Sequence, residues 1–167
     1  MDNNLDTDVS GLKVMVIDDS KTIRRTAENL LKKEGCEVVT AVDGFEALSK
    51  IAETKPNIIF VDIMMPRLDG YQTCALIKNN KAFRETPVIM LSSKDSIFDR
   101  ARGRIVGSTQ YLTKPFTREG VIVLVERLLA RYPRVIAGMK DSSGDWDNTR
   151  KLFDIDGLIV YPGSELQ

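Results

Sequence analysis

Three carboxylates and one lysine each directly follow a strand-like segment of this sequence. Asp18 and Asp19 close one apolar run, Asp62 closes a second, and Lys114 follows a third strand-like segment. The carboxyl ends of parallel strands meet at one edge of an open α/β sheet, where ligands bind. Clustered carboxylates repel one another unless a cation joins them, and their oxygen atoms suit Mg²⁺. An acid in such a site can accept a phosphoryl group, because the metal ion and the lysine neutralise the developing charge.

The pattern of apolar residues predicts the elements that would position this cluster. Predicted strands lie at residues 12–17, 36–42, 57–61, 88–91 and 108–112. Predicted helices lie at about 21–34, at about 44–53, after Pro66, and from Asp95 to about Val106. A fifth helix follows Pro115, so each strand is followed by a helix. This order predicts an α/β fold with a doubly wound parallel sheet and right-handed crossovers.

Local signals predict where the helices end and which faces they bury. Ser20 can cap the first helix, Gly35 ends it, and Gly107 ends the fourth. In the second helix, the apolar residues at helical spacing are expected to face the core; they are Phe45, Leu48, Ile51 and Ala52.

The composition is that of a globular protein, and it argues against several classes of function. The 167 residues are 43% hydrophobic and 29% charged, which predicts one domain with one core. Lysine plus arginine equals aspartate plus glutamate at 24 each, so the charge gives no argument for a nucleic acid or membrane partner. No apolar stretch is long enough to span a bilayer. Cys36 and Cys74 are interpreted as buried free thiols of a cytoplasmic protein, and the acidic, polar residues 1–10 as a disordered tail without a targeting signal.

Four short segments carry a resemblance to a known family. They are VIDDS at 16–20, VDIMMPRLDG at 61–70, LSSK at 91–94 and YLTKPF at 111–116. Over residues 11–116 the chain resembles the receiver domain of two-component response regulators, and among these the regulators of type IV pilus twitching motility. The resemblance implies a flavodoxin-like sheet with strand order 2-1-3-4-5. It also implies a histidine kinase or phosphotransfer protein as phosphodonor, and an output through protein contacts.

The same resemblance assigns roles to the acidic cluster. Asp62 would be the phosphoacceptor. Asp19 would bind Mg²⁺ directly and Asp18 would bind it through water. The backbone carbonyl of Met64 would be a further ligand. These roles agree with the preference of Mg²⁺ for oxygen ligands and for keeping several of its waters.

Further roles follow from the resemblance for residues at the ends of the fourth and fifth strands. Lys114 would pair with the phosphoryl oxygens, and the Ser92 hydroxyl would donate a hydrogen bond to them. Tyr111 would be an aromatic switch that moves with Ser92. The peptide bond before Pro115 would be cis, as the family suggests.

The sequence after Phe116 departs from this family. Residues 131–150 resemble the dihydrodipicolinate synthase and N-acetylneuraminate lyase family of (β/α)₈ barrels, so residues 117–167 are interpreted as a barrel-derived extension within the same domain. In that family the lysine at this strand end forms a Schiff base. Lys140 holds its place, but the fragment lacks the other strands of an aldolase site, so Lys140 is interpreted as a vestige.

The extension also carries predictions about architecture. Strands at 134–139 and 157–161 would extend the sheet to the order 2-1-3-4-5-6-7. They would cover a second side of the helix at about 117–131, which is apolar on every face. The last strand would leave an open edge, which predicts association of two copies.

Several interpretations of function compete. The leading one is a phosphoacceptor signalling module, not an enzyme, in an engineered chimera of a receiver and a barrel fragment; a natural fusion is the alternative origin. A second is a Mg²⁺-dependent phosphohydrolase, although Met64 stands where that class would want a second acid. A third is residual aldolase chemistry at Lys140. A fourth is a designed scaffold without selected activity.

Overall fold

Five strands and five helices alternate along the chain in the computed structural model, which describes residues 9–93 and 97–131. The elements are β1 (Lys13–Ile17), α1 (Lys21–Lys33), β2 (Glu37–Ala41), α2 (Gly44–Thr54), β3 (Ile58–Asp62), α3 (Gly70–Asn79), β4 (Val88–Ser92), α4 (Ile97–Ile105), β5 (Gln110–Thr113) and α5 (Arg118–Arg131). All strand pairs are parallel, in the order β2-β1-β3-β4-β5. The predicted flavodoxin-like α/β fold and its five-strand order are confirmed.

The sheet is buried on both faces, as a parallel sheet requires. Alternate residues of one strand point to opposite faces. Val14 and Val16 belong to a cluster that includes apolar side chains of α1 and α5. Met15 and Ile17 belong to a second cluster that includes apolar side chains of α2 and α3. Every residue of β3 and β4 is buried. The residues at the carboxyl ends of these strands are therefore held by a rigid core.

The predicted helix boundaries are confirmed where their signals are strongest. The Ser20 hydroxyl oxygen accepts a hydrogen bond from the Ile23 backbone N–H at 3.3 Å, which caps α1. Gly35 and Gly107 have φ angles of +87° and +90°, a left-handed conformation that most residues avoid.

The buried face of α2 agrees only in part with the predicted one. Ile51 is buried and Leu48 packs against the same core cluster, as predicted. Phe45 is 54% exposed and Ala52 is also exposed. The Arg67 guanidinium lies over the Phe45 ring, 5.5 Å from its centroid. The packing of α2 against the sheet and α3 therefore buries only part of the apolar set that helical spacing suggested.

Val9, which lies within the predicted tail at residues 1–10, packs into the core. Val9 is only 3% exposed and belongs to the core cluster that includes α1 and α5. Its carbonyl accepts hydrogen bonds from the Leu12 backbone N–H at 3.2 Å and from the Cys36 thiol at 3.5 Å. Cys36 and Cys74 are both buried free thiols.

Helix α5 packs through one side in the described part of the chain. Val121, Leu124, Val125 and Leu128 are buried, whereas Val123 is 45% exposed. The expected burial on a second side is therefore not seen among residues 9–93 and 97–131. The predicted strands at 134–139 and 157–161, and Lys140, lie outside the described residues.

None of the helices within the described residues has the length and apolar character needed to cross a membrane.

Candidate functional site

The three predicted acids lie together at the carboxyl edge of the sheet. Asp62 is the last residue of β3, and Asp18 directly follows the neighbouring strand β1. Oxygen atoms of Asp18, Asp19 and Asp62 all lie within 4.8 Å of one another. Asp18 and Asp62 are buried and Asp19 is exposed. The site therefore combines two buried carboxylates with one carboxylate that is exposed to solvent.

Lys114 joins the two buried acids. Its ammonium nitrogen Nζ donates to Asp18 Oδ2 at 2.8 Å and to Asp62 Oδ1 at 3.0 Å. Its backbone N–H donates to the Ser92 carbonyl at 2.6 Å, and the Lys114–Pro115 peptide bond is cis. Burial by itself would lower the pKa of Lys114, but the hydrogen bonds and charges of the two acids outweigh burial and raise the pKa. The lysine is therefore a cation held in place by its partners.

Every polar atom of Asp18, in its backbone and its carboxylate, makes a hydrogen bond. Its N–H donates to the Ala41 carbonyl at 3.1 Å. Its Oδ1 accepts from the Ser20 N–H at 2.9 Å, and its Oδ2 accepts from Lys114. Its backbone carbonyl accepts from Arg24 Nη1 at 2.6 Å. Both carboxylate oxygens of Asp18 therefore already have a hydrogen-bond donor.

The pKa of Asp62 is higher than that of an ordinary aspartate. Burial is the largest cause and the charge of Asp18 the second, and together they raise its pKa to about 6. The hydrogen bond and charge of Lys114 act in the opposite direction but do not cancel them. A further cation near Asp62 would favour its ionised form, which is the form that can act as a nucleophile.

The start of α3 packs directly against the backbone of Asp62. The Gly70 N–H donates to the Ile63 carbonyl at 2.9 Å. A Cβ atom at position 70 would lie 2.4 Å from the Asp62 carbonyl oxygen and 2.7 Å from Ile63 Cα, which is closer than real Cβ atoms come. The Asp69 side chain caps the helix by accepting from the Gln72 N–H at 2.8 Å. Glycine therefore allows α3 to hold the end of β3.

The remaining predicted residues lie around this cluster. Ser92 is the buried last residue of β4, one position beyond Leu91, which is the register partner of Asp62. Tyr111 is partly buried on β5 and packs against the core cluster that includes α2 and α3, as Val106 also does. The Met64 side chain is 75% exposed. These positions are structural facts, and the roles of these residues remain predictions.

The donor set fits Mg²⁺. Carboxylate oxygens are the ligands that this hard cation prefers. Asp19 makes no hydrogen bond or ion pair to another described residue, so its carboxylate is available. Within residues 9–93 and 97–131, these three acids form the one group of three potential ligand residues close enough to hold a metal ion.

Two residues of the site were not singled out from the sequence. Arg24 is one of two adjacent arginines on a helix, a pattern that usually indicates a solvated face, so no local signal identified its contact with Asp18. Gly70 stands in the motif at 61–70, but its close approach to Asp62 depends on how a helix and a strand pack.

The fold and the site define the class of protein. A parallel sheet of order 2-1-3-4-5 carries paired acids after β1, an acid at the end of β3 and a lysine after β5. Residues 14–126 match the family described as the response regulator receiver domain. The chain therefore belongs to the response regulator receiver domain family, whose members are signalling domains rather than classical enzymes.

Individual relatives agree with this family. Protein PilG of Pseudomonas aeruginosa is 80% identical over 112 residues, which cover 67% of this chain and 83% of PilG. The chemotaxis protein CheY4 of Vibrio cholerae is 33% identical with a TM-score of 0.70, covering 72% of this chain and 100% of CheY4. The receiver domain of the Francisella response regulator 1452 is 37% identical with a TM-score of 0.65, covering 72% and 98% of the two chains.

These similarities bear on the predicted boundary after Phe116. The family match continues to residue 126, through the first nine residues of α5. Neither this match nor the individual relatives support the predicted relation of residues 117–167 to the barrel lyases.

Proposed function

We propose that this receiver domain accepts a phosphoryl group on Asp62 in the presence of Mg²⁺. The observation that carries the proposal is the hydrogen-bonded arrangement of the buried Asp62 carboxylate, Lys114 and Asp18, with the exposed Asp19 carboxylate beside it. Lys114 is the counter-ion of Asp62, and a second cation would bind Asp62 on the side of Asp19. Membership of the receiver family supports the same role.

The proposed donor is a phosphohistidine of a histidine kinase or phosphotransfer protein. A carboxylate oxygen of Asp62 attacks phosphorus, and an O–P bond forms as the N–P bond to the donor imidazole breaks. The electron pair of that bond stays on the imidazole nitrogen, which then takes a proton. The product is an acyl phosphate on Asp62 and a neutral donor histidine, so atoms and charge balance.

Each residue of the site has a stated part in this proposal. Asp19 and Asp62 would hold Mg²⁺ directly, with Asp18 acting through water and the Met64 carbonyl as a further ligand. When bound, the ion neutralises the charge that develops on the phosphoryl oxygens. The Lys114 ammonium would move from the carboxylates to a phosphoryl oxygen.

The proposed output involves Ser92 and Tyr111. The Ser92 hydroxyl would donate to a phosphoryl oxygen, and Tyr111, which packs against the core cluster that includes α2 and α3, would shift in response. The signal would then pass to a protein partner in the cytoplasm. The resemblance noted in the sequence supports regulation of twitching motility as the setting.

Mass spectrometry of the intact protein tests the proposal. Incubation with Mg²⁺ and a small phosphodonor such as acetyl phosphate should add one phosphoryl group, which base should remove. Asp62→Asn should abolish the adduct, while Asp69→Asn, at the exposed cap of α3, should leave it unchanged. An adduct that persists on Asp62→Asn would assign the acceptor to another residue.

The proposed origin of residues 117–167 as an engineered graft from a barrel lyase, or as a natural fusion, rests on sequence resemblance alone. Borohydride reduction in the presence of pyruvate tests the associated aldolase alternative. A covalent adduct on Lys140 would support it, and the absence of an adduct leaves Lys140 as a vestige without Schiff-base chemistry.

A further inference from the structure

Arg24 lies in the first turn of α1 and reaches back to the acidic cluster. It is half-buried, and its Nη1 donates to the backbone carbonyl of Asp18 at 2.6 Å. Its neighbour Arg25 is exposed, and its side chain makes no hydrogen bond or ion pair to the described residues. The two adjacent arginines therefore have different environments, and only the first touches the strand end that carries the acids.

The charge of Arg24 also acts on Glu46 in the first turn of α2. Glu46 accepts a hydrogen bond from the Val42 N–H at 2.9 Å and pairs with Lys50 at 2.5 Å. The pKa of Glu46 is lowered chiefly by Lys50 and then by Val42, and the charge of Arg24 contributes in the same direction.

The Asp18 carbonyl belongs to the peptide plane that joins Asp18 to Asp19. The peptide between Asp18 and Asp19 is planar, so the direction of the Asp18 carbonyl sets the direction of the Asp19 N–H and Cα. The other hydrogen bonds of Asp18 involve its N–H and its carboxylate. Asp19 has no hydrogen bond of its own to the described residues, so the position of its Cα sets which points its carboxylate can reach.

We propose that Arg24 is a positioning residue for the cation site: by holding the Asp18 carbonyl, it aims the Asp19 carboxylate at the space beside Asp62. The proposal rests on the proposed Mg²⁺-dependent function and extends it. Residues that orient metal ligands in this way commonly affect metal affinity by about 10- to 100-fold.

The sign of the effect separates positioning from simple electrostatics. Arg24 is a cation near an acidic site, so its removal would strengthen Mg²⁺ binding if only charge mattered. If Arg24 positions Asp19, its removal weakens binding instead. Arg25→Ala removes the same charge from the adjacent position and is the matched control.

Isothermal titration with MgCl₂ alone tests the proposal on the full chain. Arg24→Ala should bind Mg²⁺ roughly 10-fold more weakly than the parent. Arg25→Ala should differ from the parent by less than about twofold, because exposed charges are screened. Arg24→Lys, which retains one charged donor, should recover part of the affinity. Equal or tighter Mg²⁺ binding by Arg24→Ala than by Arg25→Ala would overturn the proposal.

A second set of measurements guards against a folding defect. Thermal melts in EDTA report the metal-free stability of each variant. If Arg24→Ala does not fold, Arg24→Gln, which keeps a neutral donor, takes its place in the titration with the same expected order. In the phosphodonor assay, the Mg²⁺ concentration for half-maximal phosphorylation should rise for Arg24→Ala while the rate at saturating Mg²⁺ approaches that of the parent. An unchanged half-maximal concentration would contradict the positioning role.

The two proposals can fail separately. The titration needs no phosphodonor, so a loss of Mg²⁺ affinity in Arg24→Ala would support positioning even if Asp62 accepts no phosphoryl group. Conversely, normal phosphorylation of Asp62 with an unchanged Mg²⁺ affinity in Arg24→Ala would leave the proposed function standing and remove Arg24 from it.

Discussion

The acidity of Asp62 follows from a competition between burial and its neighbours. Burial and the nearby Asp18 charge disfavour the carboxylate, and the single ammonium of Lys114 does not offset both. The metal-free protein therefore holds Asp62 near the midpoint of titration at slightly acidic pH. A cation that joins the site would move this equilibrium toward the ionised form.

Asp62 makes the stability of the metal-free protein depend on pH. Its pKa is raised from 3.8 to about 6, so the folded state binds the proton more tightly than the unfolded state. The stability gained is fully present below about pH 4 and is lost as the pH rises through about 6. At roughly 1.36 kcal/mol per pKa unit, the loss is at most about 3 kcal/mol. Urea unfolding in EDTA across this range should show that loss in the parent and not in Asp62→Asn. Parallel pH curves for the two proteins would contradict the assignment.

Lys114 should matter more to stability than a surface lysine in an ion pair. Lys114→Gln leaves two buried carboxylates without their counter-ion, and breaking a buried pair typically costs about 3–5 kcal/mol. Lys32→Gln, which removes an exposed pair with Glu28, should cost less than about 1 kcal/mol. Denaturant unfolding at neutral pH in EDTA measures both. Similar losses for the two variants would show that Asp18 and Asp62 are well solvated.

At the scale of elements, the site depends on how closely α3 approaches the end of β3. Gly70→Ala places a methyl group against the Asp62 carbonyl and Ile63 Cα, so strand or helix must move. Overpacking of this kind typically costs about 1–3 kcal/mol, and the shift should also slow phosphorylation of Asp62. Acetyl phosphate incorporation and urea unfolding measure the two effects.

A matched control exists in α5. A Cβ atom at Gly120 meets only the Thr117 hydroxyl oxygen, at 3.3 Å. Gly120→Ala should therefore be neutral or stabilise the protein by up to about 1 kcal/mol, since alanine favours helix. Equal effects of the two glycine substitutions would argue against a special role for the contact between α3 and β3.

Parts of this arrangement follow from sequence patterns, and parts do not. The strands were predicted because buried parallel strands form uninterrupted apolar runs, and Asp18, Asp62 and Lys114 were placed together because they follow such runs. The exposed Phe45 was mispredicted, because helical spacing identifies an apolar set without showing which part of it the neighbouring helix covers. The Arg24 contact depends on distances across a loop, which no residue spacing encodes.

At the scale of the whole molecule, the described residues contain a core on each face of the sheet and the acidic cluster. Both core clusters, on opposite faces of the sheet, are built from residues 9–128. The acids and the lysine of the site also lie within this range. A chain that ends at Arg131 should therefore fold and accept a phosphoryl group on Asp62.

The same truncation tests the predicted extension of the sheet. If strands at 134–139 and 157–161 pair beyond β5, the truncated chain should melt at a lower temperature than the full chain, because apolar surface of α5 and the edge of β5 lose their cover. Thermal melts and light scattering compare the stability and the association state of the two chains. Equal melting temperatures and equal masses per folded unit would show that residues 132–167 add nothing to the sheet.

The site has one ammonium for three carboxylates, and this has a consequence for how the molecule processes a signal. With Asp62 ionised, the site carries an excess of negative charge, and conversion of that carboxylate into an acyl phosphate adds to the excess. A divalent cation would offset this negative charge, so cation and phosphoryl group would each reduce the free-energy cost of the other. Such coupling is reciprocal. The phosphorylated state would then accumulate only when the phosphodonor and the cation are present together.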